Sequence, residues 1–149
     1  MNSSDDGSKT KRAILDTNVI YSALHSPAGL CGRIVLLGTT PSVELYSIDL
    51  AREELRINLE RNMGLGRGEV EFVMSSLPVS WIPKEVYSHN LKRAVKIVGI
   101  PQDAAFVAAS FATGIPLVTG DKHLRTLRVR HLVKTYTPRE FAELLRVMT

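Results

Sequence analysis

A chain of 149 residues is about the size of one domain, and 44% apolar against 23% charged residues is enough to build a core. A single cysteine, Cys31, excludes an intramolecular disulfide framework, and no apolar run approaches the roughly 18 residues of a membrane span. The net charge of +4 is compatible with a polyanionic partner, although a solvated basic face explains it equally well.

The first segment, residues 1–11, is polar and lacks the apolar stretch of a signal peptide, so it reads as a disordered tail before one domain over residues 12–149. With reduced cysteine and no targeting segment, the expected location is cytoplasmic, with no membrane partner.

From Arg12 onward, short apolar runs alternate with helical periodicity. The first strand is expected over Arg12 to Asp16, followed by a helix from Asn18 to Leu24. His25 to Gly32 reads as a loop because of Pro27 and Gly29. A second helix runs from Gly32 to Gly38, and a second strand from Glu44 to Ile48. Asp49 suits the cap of a helix from Leu50 to Asn62, with Leu50, Leu55 and Leu59 facing the core. Gly64, Gly66 and Gly68 break that helix, and Glu69 to Leu77 forms another. Val79 to Ile82 is a third strand held between prolines. Helices are expected over Ser88 to Val98 and Asp103 to Thr113, the second ending at Gly114. Ile115 to Thr119 is the fourth strand, Lys122 to Leu127 a short helix, and Val133 to Tyr136 the fifth strand. Thr137-Pro138-Arg139-Glu140 carries a cap hydroxyl, a first-turn proline and a glutamate three residues on, which starts a last helix reaching Met148. Strands alternating with helices imply an α/β three-layer sandwich around a five-stranded parallel sheet. In such sheets, sites form beyond the carboxyl ends of the strands.

Asp16 and Asp121 follow two of those ends. Asp103 opens its helix, and Glu54 lies within the helix after the second strand. Each has a plainer reading: a turn or cap for Asp16, Asp103 and Asp121, an exposed helical acid for Glu54. Glu53 competes directly with Glu54. Several carboxylates brought within about 5 Å raise one another's pKa, and a hard divalent cation relieves that repulsion. Mg²⁺ or Mn²⁺ held by acids in a basic protein suits phosphodiester hydrolysis, with a metal-bound water as nucleophile. The basic cluster Lys122, Arg125, Arg128, Arg130 and Lys134 would then hold the backbone. His123 reads as structural or exposed, and Tyr21, Tyr46, Phe106 and Phe111 as packing aromatics.

The motifs Ile14-Leu15-Asp16-Thr17-Asn18, Glu54-Leu55 with Leu59, Asp103 with Phe106 and Ala108-Ala109, and Gly114 to Asp121 resemble the PIN domain family of nucleases, in particular its small VapC-like members. The resemblance runs from Arg12 to about Leu145. It implies the strand order 3-2-1-4-5, an acidic pocket for Mg²⁺ or Mn²⁺, and endoribonuclease action on single-stranded RNA. Many small members are toxins of toxin–antitoxin pairs, so an antitoxin protein is an implied partner, and members often dimerise, so a homodimer is expected. Residue by residue, Asp16, Glu54, Asp103 and Asp121 match the metal-binding acids. Asn18 and Thr119 match polar residues that orient the acids or the attacking water, and Lys122 and Arg125 stand where they could reach a phosphate.

Two other classes compete. A catalytically inactive PIN-like scaffold would bind RNA or protein without cleaving, although such members are expected to lose an acid. A phosphotransferase with Asp16 as nucleophile, of the haloacid dehalogenase kind, would need an acid at position 18, where Asn18 stands.

Overall fold

The computed structural model describes residues 10–146, so nearly all of the expected tail and the expected helix end at Met148 lie outside the described residues. The elements are β1 (Lys11–Leu15), α1 (Thr17–His25), α2 (Leu30–Leu37), β2 (Val43–Ile48), α3 (Asp49–Asn62), α4 (Arg67–Ser76) and β3 (Ser80–Ile82). They continue with α5 (Lys84–Val98), α6 (Pro101–Thr113), β4 (Leu117–Val118), a 3₁₀ turn at Lys122–Leu124, α7 (Leu127–Arg130), β5 (Thr135–Tyr136) and α8 (Pro138–Leu145). The five strands pair in parallel in the order β3-β2-β1-β4-β5. Strand order reverses between β1 and β4, which opens a crevice beyond their carboxyl ends.

Side chains alternate across the sheet because successive Cβ atoms point to opposite faces. Ala13, Leu15, Val43, Leu45 and Val118 join a core beneath α1–α4 and α8. Ile14, Ile48 and Leu117 face the other way, into a core beneath α5–α7. β1 is therefore buried on both sides, as the continuous run Ala13-Ile14-Leu15 requires. In α6, every residue from Ala104 to Ser110 is buried, and the four alanines of that run let the helix lie close on the sheet. It stops at Gly114, whose φ of 75° only glycine adopts without strain.

Several expected boundaries shift for local reasons. Asp49 is the first residue of α3 rather than its cap. Its carboxylate accepts from the backbone N–H of Leu50 (2.8 Å) and Lys84 (3.1 Å) and from the Tyr87 hydroxyl, so it ties α3 to α5. That anchor lets α5 begin directly after Pro83, four residues earlier than Ser88. α6 begins at Pro101, whose missing N–H costs nothing in a first turn. The expected helix over Lys122 to Leu127 splits into the 3₁₀ turn and α7, because the Thr126 side chain caps a new helix through Val129 N–H. The strands β4 and β5 are shorter than expected, at two residues each. Leu50 is 46% exposed and Phe111 40%, so neither packs in the core as expected. Among the described residues no helix is long and apolar enough to cross a membrane by itself.

Candidate active site

The crevice between β1 and β4 collects the acids. Asp16 follows Leu15 at the end of β1 and caps α1: its Oδ1 accepts from Val19 N–H at 2.9 Å. Its Oδ2 accepts from the Thr119 hydroxyl, which hangs from the residue after β4. The same Thr119 oxygen accepts from Asp121 N–H at 3.0 Å. One fully buried hydroxyl therefore fixes Asp16 and the backbone of Asp121 together. Asp121 Oδ1 in turn accepts from His123 N–H at 2.9 Å, opening the 3₁₀ turn. The cap reading and the site reading of Asp16 are compatible, since each carboxylate oxygen has a second lone pair.

Glu54 reaches the crevice from the second turn of α3. Its Oε1 accepts from the Thr17 hydroxyl at 2.9 Å, immediately beside Asp16. Glu53 points elsewhere, 4.0 Å from Arg56 Nε, and the Arg56 guanidinium bonds Glu71 on α4. In geometry, therefore, Glu54 and not Glu53 belongs to the crevice. Asp103 stands in the first turn of α6 and is half-buried; Ile100 takes the flanking cap position. The carboxyl of Asp103 is thus not consumed as a helix cap.

Electrostatics join the four. Burial pushes the Asp16 carboxyl above its ordinary value; Thr119 and Val19 pull it back, and the charge of Asp121 pushes it up again. Burial also raises Asp103, helped by the charge of Asp121, opposed by His123, and helped further by Glu54. The charge of Asp121 thus acts on both Asp16 and Asp103, that of Glu54 acts on Asp103, and Glu54 is bonded to the neighbour of Asp16. Neither Lys nor Arg contributes to the shift of Asp16 or Asp103. Among the described residues no group of three or more His, Cys, Asp and Glu side chains stands close enough together to hold a metal ion as placed. The donor set is nevertheless all oxygen and anionic, which suits a hard divalent cation and no soft one.

The flanking residues divide. Asn18 has an exposed side chain, while its backbone N–H helps lower the Asp16 carboxyl. Lys122 is exposed directly after Asp121. Arg125 folds back instead: its Nη2 lies 3.4 Å from the Gly120 carbonyl, and its Nε is buried without a protein partner. His123 is exposed, as expected. Two residues escaped the sequence reading. Thr17 stands in the strand-end motif with no role of its own in the sequence; its signal is a hydroxyl placed next to the strand-end acid. Cys31, half-buried on α2, has its thiol raised by burial and by the charge of Asp16, and no local pattern announces that proximity.

A five-stranded parallel sheet in this order, with acids gathered where the strand order reverses, is the arrangement of PIN domains. The sequence matches the PIN domain family over residues 14–140, and the chain belongs to that family. PIN domains are generally nucleases and typically use a divalent metal. Among solved structures, the chain resembles VapBC2 from Rickettsia felis, bound to a DNA fragment from its promoter. The TM-score is 0.60 at 15% identity, covering 85% of this chain and 98% of that one. It resembles PAE2754 from Pyrobaculum aerophilum to the same TM-score, at 19% identity, covering 95% and 100%. No curated protein matches the sequence.

Proposed function

We propose that this chain is a metal-dependent endoribonuclease that hydrolyses single-stranded RNA, with Asp16, Glu54, Asp103 and Asp121 as the residues that would hold Mg²⁺ or Mn²⁺. The observation that carries the reading is the placing of the acids about the β1–β4 crevice: the Thr119 hydroxyl ties Asp16 to the Asp121 backbone, Thr17 ties Glu54 beside Asp16, and the charges of Asp121 and Glu54 both act on Asp103. A divalent cation bound there supplies a water of lowered pKa and neutralises charge on the scissile phosphate. The chain's own residues do the rest. Thr119 orients Asp16 and holds the Asp121 backbone, and Thr17 orients Glu54. The exposed Lys122 pairs with a phosphate beside the reacting one, while Arg125 braces the Gly120 loop that carries Asp121.

The likeness to VapBC2 supports a toxin role with an antitoxin partner as part of the same proposal. The test is cleavage of a labelled single-stranded RNA with Mn²⁺, by wild type and Asp121→Asn, with a chelator control. Metal-dependent cleavage that the variant loses supports the reading. Equal cleavage by both proteins overturns the site, and absence of cleavage by both favours the inactive scaffold.

A further inference from the structure

The two helical layers differ in charge. Residues 84–134, which include α5, α6 and α7, carry nine Lys and Arg against three Asp and Glu, and two of those acids are Asp103 and Asp121. The remaining chain carries ten against twelve. Arg56 and Arg12 in that remainder are ion-paired, to Glu71 and Glu44. Among the described residues none of the nine cations of 84–134 makes an ion pair. Lys92, Arg93 and Lys96 recur at helical spacing on the exposed side of α5, and Arg128 and Arg130 are exposed on α7, which packs against α5. A stable fold does not need such a concentration of unpaired like charge, since it opposes compaction.

An aromatic group lies on the same layer. Phe111 on α6 is 40% exposed, and the Arg93 guanidinium lies 5.1 Å from its ring centroid. An exposed ring with a guanidinium on it offers a base a stacking surface beside a phosphate-binding charge. The layer also leads to the acids. α5 joins α6 through Gly99 and Ile100, Asp103 stands in the first turn of α6, and Lys96 is on the last turns of α5.

We propose that the outer face of α5 and α7, with Phe111, is an RNA-binding exosite that holds the single strand beyond the nucleotides at the acids. This rests on the proposed ribonuclease reading, and it assigns the substrate a length: strands that cover both the crevice and this face are favoured over strands that cover the crevice alone. Single-stranded nucleic acid is preferred to an acidic protein as occupant because of the exposed ring and the continuity with the crevice.

The experiment has two arms. The first measures anisotropy of a labelled 20-nucleotide RNA with chelator present, for the full chain and for the triple variant Lys92→Glu/Lys96→Glu/Arg128→Glu. Losing about three single-strand phosphate contacts lowers the log–log salt slope by about 2, and Phe111→Leu weakens binding about tenfold. The second compares kcat/KM with Mn²⁺ for the 20-mer and a 5-mer; the triple variant is expected to collapse the advantage of the longer strand. Unchanged salt slope and unchanged length preference overturn the exosite even when the 5-mer is cleaved, leaving the ribonuclease reading intact. Absence of cleavage together with a salt slope lost in the variant overturns the ribonuclease reading and supports the binding face. Binding of an acidic protein but of no RNA overturns the exosite outright.

Discussion

Asp16 and Glu54 meet at the same turn but are held in opposite ways. Asp16 is 5% exposed, and both of its oxygens are bonded, one to Val19 N–H and one to the Thr119 hydroxyl. Glu54 is exposed, and among the described residues its carboxylate accepts a hydrogen bond from Thr17 alone. One half of the crevice is set in place by the fold, and the other half stays adjustable. Preset polar groups are costly when buried and valuable when a charge must be met in fixed geometry. The buried half should therefore dominate activity, and it should also be where the fold gives up stability.

The largest effect is expected for Asp16→Asn. Removing the preset carboxylate should lower Mn²⁺-dependent cleavage by more than about 100-fold, beyond what loss of an outer partner costs. Thermal unfolding in chelator should rise, because a buried, repelled charge has gone. A variant that loses activity and melts lower would mean that Asp16 is chiefly a helix cap. Next comes Thr119→Val, which keeps the shape and removes the hydroxyl that serves both Asp16 and Asp121. Outer partners of metal ligands are worth about 10- to 100-fold, so cleavage should fall by that much. The orphaned Asp121 N–H adds a stability loss of about 1–3 kcal/mol, readable by urea titration.

The adjustable half should show smaller effects. Glu54→Gln is expected to reduce cleavage about tenfold, and Thr17→Val less, since it removes only the bond that steers Glu54. Glu53→Gln should change cleavage by less than about twofold, its carboxylate being near Arg56 and away from the crevice. If Glu53→Gln matched Glu54→Gln, the assignment of the two halves would fall.

The sequence showed the buried half far better than the adjustable one. Asp16 and Asp121 end apolar runs, and a run buried on both faces is a strong local signal, so the strands and their acids were legible together. Glu54 was not separable from Glu53 by pattern. Which of two adjacent helical acids faces the crevice depends on where α3 starts, and that is set by Asp49 bonding Lys84 and Tyr87, contacts 35 and 38 residues distant. The same long-range tie moved the start of α5. Leu50 and Phe111 were misjudged because helical periodicity identifies an apolar stripe but not its rim. The role of Thr119 as a shared anchor needed the β1–β4 pairing, which no window of sequence contains.

The smallest effect is in the pH dependence of stability without metal. Burial, with the charge of Asp121, holds the Asp16 carboxyl above its ordinary value, so between the unfolded and folded pKa the native chain binds more protons than the unfolded one. Stability from this group is fully present below the unfolded pKa and is lost as pH rises through the folded one. Asp103 acts with the same sign. In chelator, the difference in melting temperature between Asp16→Asn and wild type should be smallest at the acid end. It should widen in favour of the variant as pH rises toward neutrality, and Mn²⁺ at pH 7 should narrow it by stabilising the wild type. Global acid unfolding affects both proteins alike and cancels in the difference. A gap independent of pH would show Asp16 to be as easily ionised in the folded chain as in the unfolded one. The contrast between a strained buried half and a relaxed exposed half would then be lost.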